Sequence, residues 1–310
     1  MEGKQNNTWS LFILPVIWGT YYVASQKLVG YTSVFVSGLL IRLVTFFLLL
    51  LIMCKKGEIG NLFRVKGARH RLCIIGTLGF LLDVTAFIGL SLSSAATGTA
   101  LLKTDVIMVN LISVLIYKKK LNWKSWGYTF IMLFGVFMVM GVNFTNFKIS
   151  DKGNIFFLLS ALFVSINAFV IKGTQNKKNV EIPVSDDVIA FYNNGITMIL
   201  FAISAIVTGT VGQVKNVFAD GHVVLAMALA ALGQTMVYVV YYYNLRNYAV
   251  WLVKICLLLM PIFSALVTLV HFHEKLAIMQ YVGMVIVILG AIGILMQQRT
   301  TDEIQEKESN

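Results

Sequence analysis

Continuous apolar stretches of about 20 residues constrain this chain more than any other feature. Ten of them follow one another with short polar breaks between, and they occupy about two-thirds of the 310 residues. A helix needs about 20 mostly apolar residues to cross the hydrocarbon core of a bilayer, whereas membrane β-strands are shorter and alternate in polarity. The sequence therefore predicts an all-α polytopic membrane protein with ten transmembrane helices.

Composition excludes a water-soluble protein. Hydrophobic residues make up 58% of the chain and charged residues 13%, against about 25% charged residues in a typical soluble domain. A chain of this size could not cover so much apolar surface in water. The three cysteines, Cys54, Cys73 and Cys256, lie in or beside apolar stretches without the spacing of metal ligands. We therefore expect no metal site and no cofactor.

The distribution of Lys and Arg predicts the orientation. An even number of spans places both termini on one side of the membrane. If that side is the cytoplasm, the cytoplasmic segments hold most of the Lys and Arg residues outside the spans, including Lys118-Lys119-Lys120. Cytoplasmic loops are enriched in these residues, so we predict cytoplasmic termini in a multi-pass protein of the bacterial plasma membrane. The net charge of +11 has the same origin and does not indicate nucleic-acid binding.

The ten spans are predicted over residues 9–27, 34–53, 72–92, 95–117, 125–143, 153–172, 188–210, 222–243, 248–270 and 277–297.

The two halves of the chain share one plan. A shift of 155 residues aligns span four with span nine and span five with span ten, so that Leu102 meets Leu257 and Gly135 meets Gly290. Because five is odd, the second set of five spans must run through the membrane inverted relative to the first. Inverted repeats are typical of secondary transporters. We predict a first five-helix repeat over 1–147, a second over 148–298, and a cytoplasmic tail over 299–310.

Short motifs in both halves carry a resemblance to a known family. They are Pro15-Val-Ile-Trp18-Gly19-Thr-Tyr21-Tyr22 in span one, Arg42 in span two, Leu259-Met-Pro261 and His273-Glu274-Lys275-Leu276 in and after span nine, and Gly283 with Leu289-Gly290 in span ten. On these motifs each half resembles an EamA domain of the drug/metabolite transporter superfamily. The resemblance implies ten helices in inverted five-helix repeats, both termini inside, and transport of a small metabolite. The first half departs from the pattern, because Val106 stands where the family has the proline matched by Pro261.

Five charged residues fall well inside the spans. An unpaired charge at the bilayer centre costs about 2.5–3.5 kcal/mol, so these residues must pair with one another or face water. Lys103 and Asp105 lie two positions apart and would not face each other on a continuous helix. We predict that Arg42 pairs with Asp83 or Asp105 on another helix. Structural salt bridges and a central solute-binding cavity both remain open interpretations, and Lys254 could instead extend to the membrane interface.

Aromatic residues add to this candidate site. Trp18, Tyr21 and Tyr238 lie deep enough in their spans to stack on a solute, whereas Tyr241 to Tyr243 are typical of an interfacial aromatic belt. The small-residue run over 93–100 favours close helix packing or a sliding gate. The predicted substrate-binding residues are Trp18, Tyr21, Arg42, Asp83, Lys103, Asp105, Tyr238 and Lys254.

These features predict a secondary transporter rather than an enzyme. The chain has no soluble domain and no phosphate-binding loop, so we expect no ATP hydrolysis. The Gly-x-Gly-Asp motif of intramembrane aspartyl proteases precedes neither Asp83 nor Asp105, and Ala277 replaces the second His of a zinc-protease motif.

Three mid-span cations against two carboxylates favour a solute with an anionic group. The resemblance then favours an amino-acid or related metabolite exporter that works by alternating access, as a monomer or weak homodimer, with protons as the candidate coupling ion. An importer of a small organic cation and a non-transporting receptor or scaffold are the alternatives.

Overall fold

The computed structural model describes residues 8–92, 100–118, 123–142, 152–176, 184–272 and 276–309, and the regular structure in these ranges is helical. This confirms the all-α class. The first half contains α1 (Trp9–Val29), α2 (Val34–Lys56), α3 (Arg69–Leu92), α4 (Asp105–Leu115) and α5 (Trp123–Val139). The second contains α6 (Lys152–Gln175), α7 (Asp186–Val207), α8 (Gly221–Asn247), α9 (Val250–Cys256), α10 (Met260–Phe272) and α11 (Ile278–Ser309).

Among the described residues, five helices are long and apolar enough to cross a membrane, namely α2, α3, α6, α7 and α8. Helices lie within all ten predicted ranges, while the number of membrane crossings stays a prediction. The helix α11 runs on to Ser309, so the backbone of the predicted tail at 299–309 is helical rather than frayed. Residues 93–99 of the small-residue run lie outside the described residues.

Helix ends are set by local capping. The Ser33 hydroxyl accepts a hydrogen bond from the Val36 amide at 3.3 Å at the start of α2, and Ser185 caps α7 in the same way. Side-chain oxygens at this position satisfy amides that have no partner inside the helix. After α2 the chain turns at Gly57 with φ of 68°, a left-handed conformation that favours glycine.

Helix packing is the same when the two halves are exchanged. Helix α1 packs on α8 while α3 packs on α6, and these pairs are equivalent under the 155-residue shift. The pairs α2 with α7 and α5 with α11 each join equivalent helices of the two halves. Helix α4 contacts α9, so that the regions predicted as spans four and nine also meet. The halves are therefore related by approximate two-fold symmetry around a shared centre.

The backbones of α5 and α11 approach each other very closely. A Cβ atom on Gly283 would lie 2.7 Å from the Gly135 carbonyl oxygen and 2.8 Å from the Val139 nitrogen. Only glycine permits backbones to approach this closely. Around it, buried apolar side chains including Met132 and Val287 form an apolar core.

The helix predicted over 95–117 is interrupted in the structure. Residues 100–102 are helical, Lys103 and Thr104 form a turn, and α4 starts at Asp105. The Thr104 hydroxyl donates to the Leu101 carbonyl at 2.7 Å, and such local bonds compete with the helical pattern. The prediction of a continuous helix here was therefore wrong, and the faces it assigned to Lys103 and Asp105 do not apply across the turn.

A second interruption lies at the equivalent place in the other half. Between α9 and α10 the chain forms a 3₁₀ turn at Leu257–Leu259, where the Met260 amide bonds to the Leu257 carbonyl. Pro261 follows and has no amide hydrogen for an i→i−4 bond to that carbonyl. Under the 155-residue shift, residues 103 and 104 correspond to 258 and 259. Both halves thus depart from α-helical geometry at equivalent positions, although in the second half helical structure continues from α9 through the 3₁₀ turn into α10.

Candidate solute-binding site

A central cavity of about 110 Å³ lies beside the two helix breaks and is lined by helices of both halves. The lining includes all eight side chains selected from the sequence, which are Trp18, Tyr21, Arg42, Asp83, Lys103, Asp105, Tyr238 and Lys254. The structure therefore brings the candidate residues together. Their contact with a solute stays a prediction.

Arg42 is held by a carboxylate and a phenol. Its guanidinium donates to Asp83 Oδ2 and to the Tyr238 hydroxyl, and its Cζ lies 5.5 Å from the centroid of the Tyr238 ring. All three side chains are buried. The prediction that an aspartate from another helix holds Arg42 is confirmed, and that residue is Asp83. We call these three residues the arginine cluster.

Lys254 pairs with Asp105 of the other half. The distance from Lys254 Nζ to Asp105 Oδ2 is 2.8 Å, and Lys254 is 1% exposed. The side chain is thus buried at the centre of the fold and does not extend to the interface. Asp105 therefore pairs with Lys254, almost half the chain away in sequence, although Lys103 is only two residues from it.

Lys103 has no such partner among the residues that the structure describes. It is 7% exposed, and within the described ranges its ammonium lies within 4 Å of no carboxylate. It donates to Met260 Sδ at 3.4 Å and lies 5.9 Å from the centroid of the Trp18 ring. A thioether is a weak acceptor, so the charge of Lys103 is poorly compensated. We call Lys103, Asp105 and Lys254 the lysine cluster.

Trp18 contributes an aromatic surface to the lysine cluster. Lys103 and Lys254 both lie 5.9 Å from its ring centroid, within the distance at which a ring attracts a cation. Tyr241 meets the Trp18 ring edge to face, with centroids 5.1 Å apart. Two cations and two aromatic rings therefore surround one side of the cavity.

The interpretation of Tyr241 and Tyr242 as interfacial residues was wrong. Both are buried and line the cavity, whereas Tyr243 is 37% exposed. A periodicity in the sequence could have identified them, because Tyr238, Tyr241 and Tyr242 are three and four positions apart and share one helix face. Tyr243, one position further on, leaves that face.

Amide side chains also line the cavity. Asn167, Asn193 and Gln234 contribute to the lining. An amide inside a span can also form an interhelical hydrogen bond, and Asn193 does both, because its Nδ2 donates to the Tyr242 hydroxyl at 2.6 Å. Sequence alone does not separate the two roles, since each requires an amide inside a helix.

Charged contacts join the helix ends on the predicted cytoplasmic side. Lys56 Nζ lies 2.5 Å from Asp187 Oδ2, and Arg246 Nε lies 2.8 Å from Asp186 Oδ1. At the opposite end the Ser33 amide donates to Gln213 Oε1 at 2.6 Å. Ion pairs thus join α2, α7 and α8 at the predicted cytoplasmic end. At the opposite end, a neutral hydrogen bond joins the residue before α2 to the segment after α7.

Comparison with known proteins identifies the family. The profile of the EamA-like transporter family matches the chain twice, over residues 8–141 and 151–296. The chain belongs to the EamA-like transporter family. It is thus a membrane transporter of the drug/metabolite superfamily, and the resemblance found in its motifs is confirmed.

A solved structure, described only as a crystal structure of a protein, shares the fold of this EamA-like transporter. The two chains superpose with a TM-score of 0.75 and 17% sequence identity, over 95% of this chain and 98% of the other. At that identity the likeness concerns the fold alone. No curated protein matches the chain.

Proposed function

We propose that this EamA-like transporter moves a small polar metabolite with an anionic group, an amino acid or a related compound, out of the cell. The observation that supports this most is the central cavity, which gathers five buried charges from both halves with one cation in excess. Buried charges need partners, and the excess cation selects for an anionic group. The aromatic rings of Trp18 and Tyr241 suit an apolar body attached to that group.

Alternating access is the proposed mechanism. In inverted-repeat carriers the solute binds near the bilayer midplane, where discontinuous helices of the two halves meet. The breaks at 103–104 and Leu257–Leu259 fit this pattern. The ion pairs of Lys56 and Arg246 at one end fit a state in which the predicted cytoplasmic side is closed.

The proposed topology has ten spans, inverted repeats and cytoplasmic termini in the bacterial plasma membrane. The excess of Lys and Arg in the segments on the terminal side supports it. The exchange symmetry of the helix contacts supports a two-fold relation between the halves, and an odd number of spans in each half makes that relation an inversion.

Solute movement is proposed to be proton-coupled or facilitated, without nucleotide hydrolysis. The sequence has no phosphate-binding loop. Asp83 and Asp105 line the cavity and are the candidate proton acceptors.

Counterflow in proteoliposomes tests the function. Purified protein is reconstituted with a mixture of unlabelled amino acids inside, and uptake of each labelled amino acid is measured without ATP. We expect uptake of at least one of them, abolished by Lys254→Met in protein that remains folded. Uptake of organic amines alone, in vesicles loaded with amines, would favour the cation importer. Strict ATP dependence would contradict a secondary transporter, and the absence of amino-acid flux would contradict the amino-acid substrate.

A further inference from the structure

The two helix breaks make reciprocal contacts across the centre of the fold. Lys254 of the second half reaches Asp105 at the start of α4, and Lys103 of the first half reaches Met260 at the start of α10. Asp105 and Met260 are equivalent positions under the 155-residue shift. Each half therefore presents the same position to a lysine of the other, but only the first half places a carboxylate there.

This asymmetry leaves one carboxylate missing from the lysine cluster. Met260 is buried, and its sulfur is a weak acceptor that carries no charge. Lys103 is more than nine-tenths buried and lines the cavity. Its ammonium is thus available to a group that enters the cavity, whereas the ammonium of Lys254 is already paired at 2.8 Å.

We propose that Lys103 binds the carboxylate of the solute, which takes the charge that an acidic residue at position 260 would supply. This inference rests on the proposed function and specifies its substrate as a monocarboxylate or a zwitterion. A charge-assisted bond from an ammonium to a carboxylate is among the stronger hydrogen bonds in proteins. Trp18, 5.9 Å from Lys103, then lies beside the bound carboxylate and contacts the body of the solute.

The charge balance also predicts which compounds bind weakly. A single carboxylate brings the cluster to two cations and two anions, and for a zwitterion this balance requires that its ammonium group lies outside the lysine cluster. A dicarboxylate adds an uncompensated negative charge in a buried site, which is costly. An amine without a carboxylate adds a third cation beside Lys103 and Lys254. We therefore expect preference for one carboxylate over two and over none.

Substitutions at Met260 test the missing partner directly. Met260→Asp supplies an internal carboxylate to Lys103, and Met260→Asn is its uncharged match in shape. We expect the Asp variant to unfold at a higher temperature than the Asn variant, because only the Asp variant neutralises Lys103. The difference should disappear in the background of Lys103→Gln.

Ligand binding supplies the second measurement. The probes are phenylalanine, phenethylamine and 3-phenylpropionate, with leucine, isopentylamine and 4-methylpentanoate as a smaller series, and glutarate as a dicarboxylate without an ammonium group. The two compounds of each series that carry one carboxylate should raise the unfolding temperature of the wild type more than the amine or the dicarboxylate does. The Met260→Asn variant should respond in the same way. In Lys103→Gln and Met260→Asp the affinity should fall by about ten- to a hundredfold, as loss of a charge-assisted contact predicts.

The outcomes separate the two proposals. Wild-type affinity in Lys103→Gln, or equal unfolding temperatures for Met260→Asp and Met260→Asn, would overturn the role of Lys103. Failure of every probe to shift the wild type, with Met260→Asp still more stable than Met260→Asn, would refute the amino-acid substrate of the proposed function but support the missing carboxylate.

Discussion

The arginine cluster and the lysine cluster line the same cavity, yet they differ in their charge. In the first, Arg42 meets one carboxylate and a phenol, and the cluster is neutral. In the second, the carboxylate of Asp105 pairs with Lys254, and Lys103 contacts only the uncharged sulfur of Met260 among the described residues. Both are deeply buried, so burial does not distinguish a structural ion pair from a solute site. The unbalanced charge does, because it can be compensated by a ligand and by nothing else described nearby.

The difference arises from the way the halves are combined. The arginine cluster joins α2 and α3 of the first half to α8. The guanidinium of Arg42 finds both of its partners, Asp83 and Tyr238, within the chain. The lysine cluster forms where the helix breaks of the two halves face each other, and the second half has Met260 where the first has Asp105. If Lys103 binds the solute as we propose, divergence of two related halves at one position creates a binding site where the other half has an internal ion pair.

Asp105→Asn should have the largest effect on stability. It leaves Lys103 and Lys254 buried without a carboxylate, and breaking a buried pair in this way costs about 3–5 kcal/mol. Lys254→Met should cost less, because Lys103 and Asp105 then balance each other. The double variant keeps one unpaired cation, as the wild type does, and should regain carboxylate binding that Lys254→Met alone loses. Thermal unfolding and counterflow measure both effects.

Equal destabilisation by Asp105→Asn and Lys254→Met would contradict this account of the lysine cluster. Wild-type flux in a well-expressed Lys254→Met protein would do so as well, since its cluster has no excess cation to offer a solute.

Tyr238→Phe should have the next effect, confined to the arginine cluster. The variant removes the phenol that accepts from Arg42 and preserves the ring, at a cost of about 1.5–3 kcal/mol for a hydrogen bond to a charged group. Tyr243→Phe on the same helix is the matched control, because Tyr243 is outside the cavity lining. Comparable losses in the two variants, measured by thermal unfolding, would show that the bond to Arg42 contributes nothing specific.

A pair of double-mutant cycles should separate the clusters. Arg42→Met combined with Asp83→Asn should depart from additivity by about 0.5–3 kcal/mol, as residues in contact do. Arg42→Met combined with Asp105→Asn should be additive, since Asp105 bonds to Lys254 instead. Additivity in the first cycle, or coupling of similar size in the second, would remove the distinction between the clusters.

Sequence reasoning found the charged members of both clusters and an aspartate partner for Arg42, but not the pairing within the lysine cluster. Arg42, Asp83 and Lys254 stand out because charges are rare inside apolar spans, and matched depth limited Arg42 to two aspartates. The pairing of Lys254 with Asp105 was beyond reach, because it depends on the helix breaks. A polar turn at Lys103-Thr104 has no proline or glycine to reveal it. Pro261 was visible but is tolerated inside membrane helices, so it did not by itself indicate a break.

Lys56→Met should have the smallest effect and tests whether burial matters to the comparison. Lys56 pairs with Asp187 at 2.5 Å, but the Lys56 side chain is 48% exposed. Exposed pairs contribute about 0.2–1 kcal/mol because water and salt screen them. We therefore expect a change in unfolding temperature close to the experimental error, together with an unchanged order of preference among the carboxylate probes. A loss as large as that of Asp105→Asn would mean that the charged end of the bundle stabilises the fold as strongly as the buried clusters do. The contrast between buried and exposed charges would then fail.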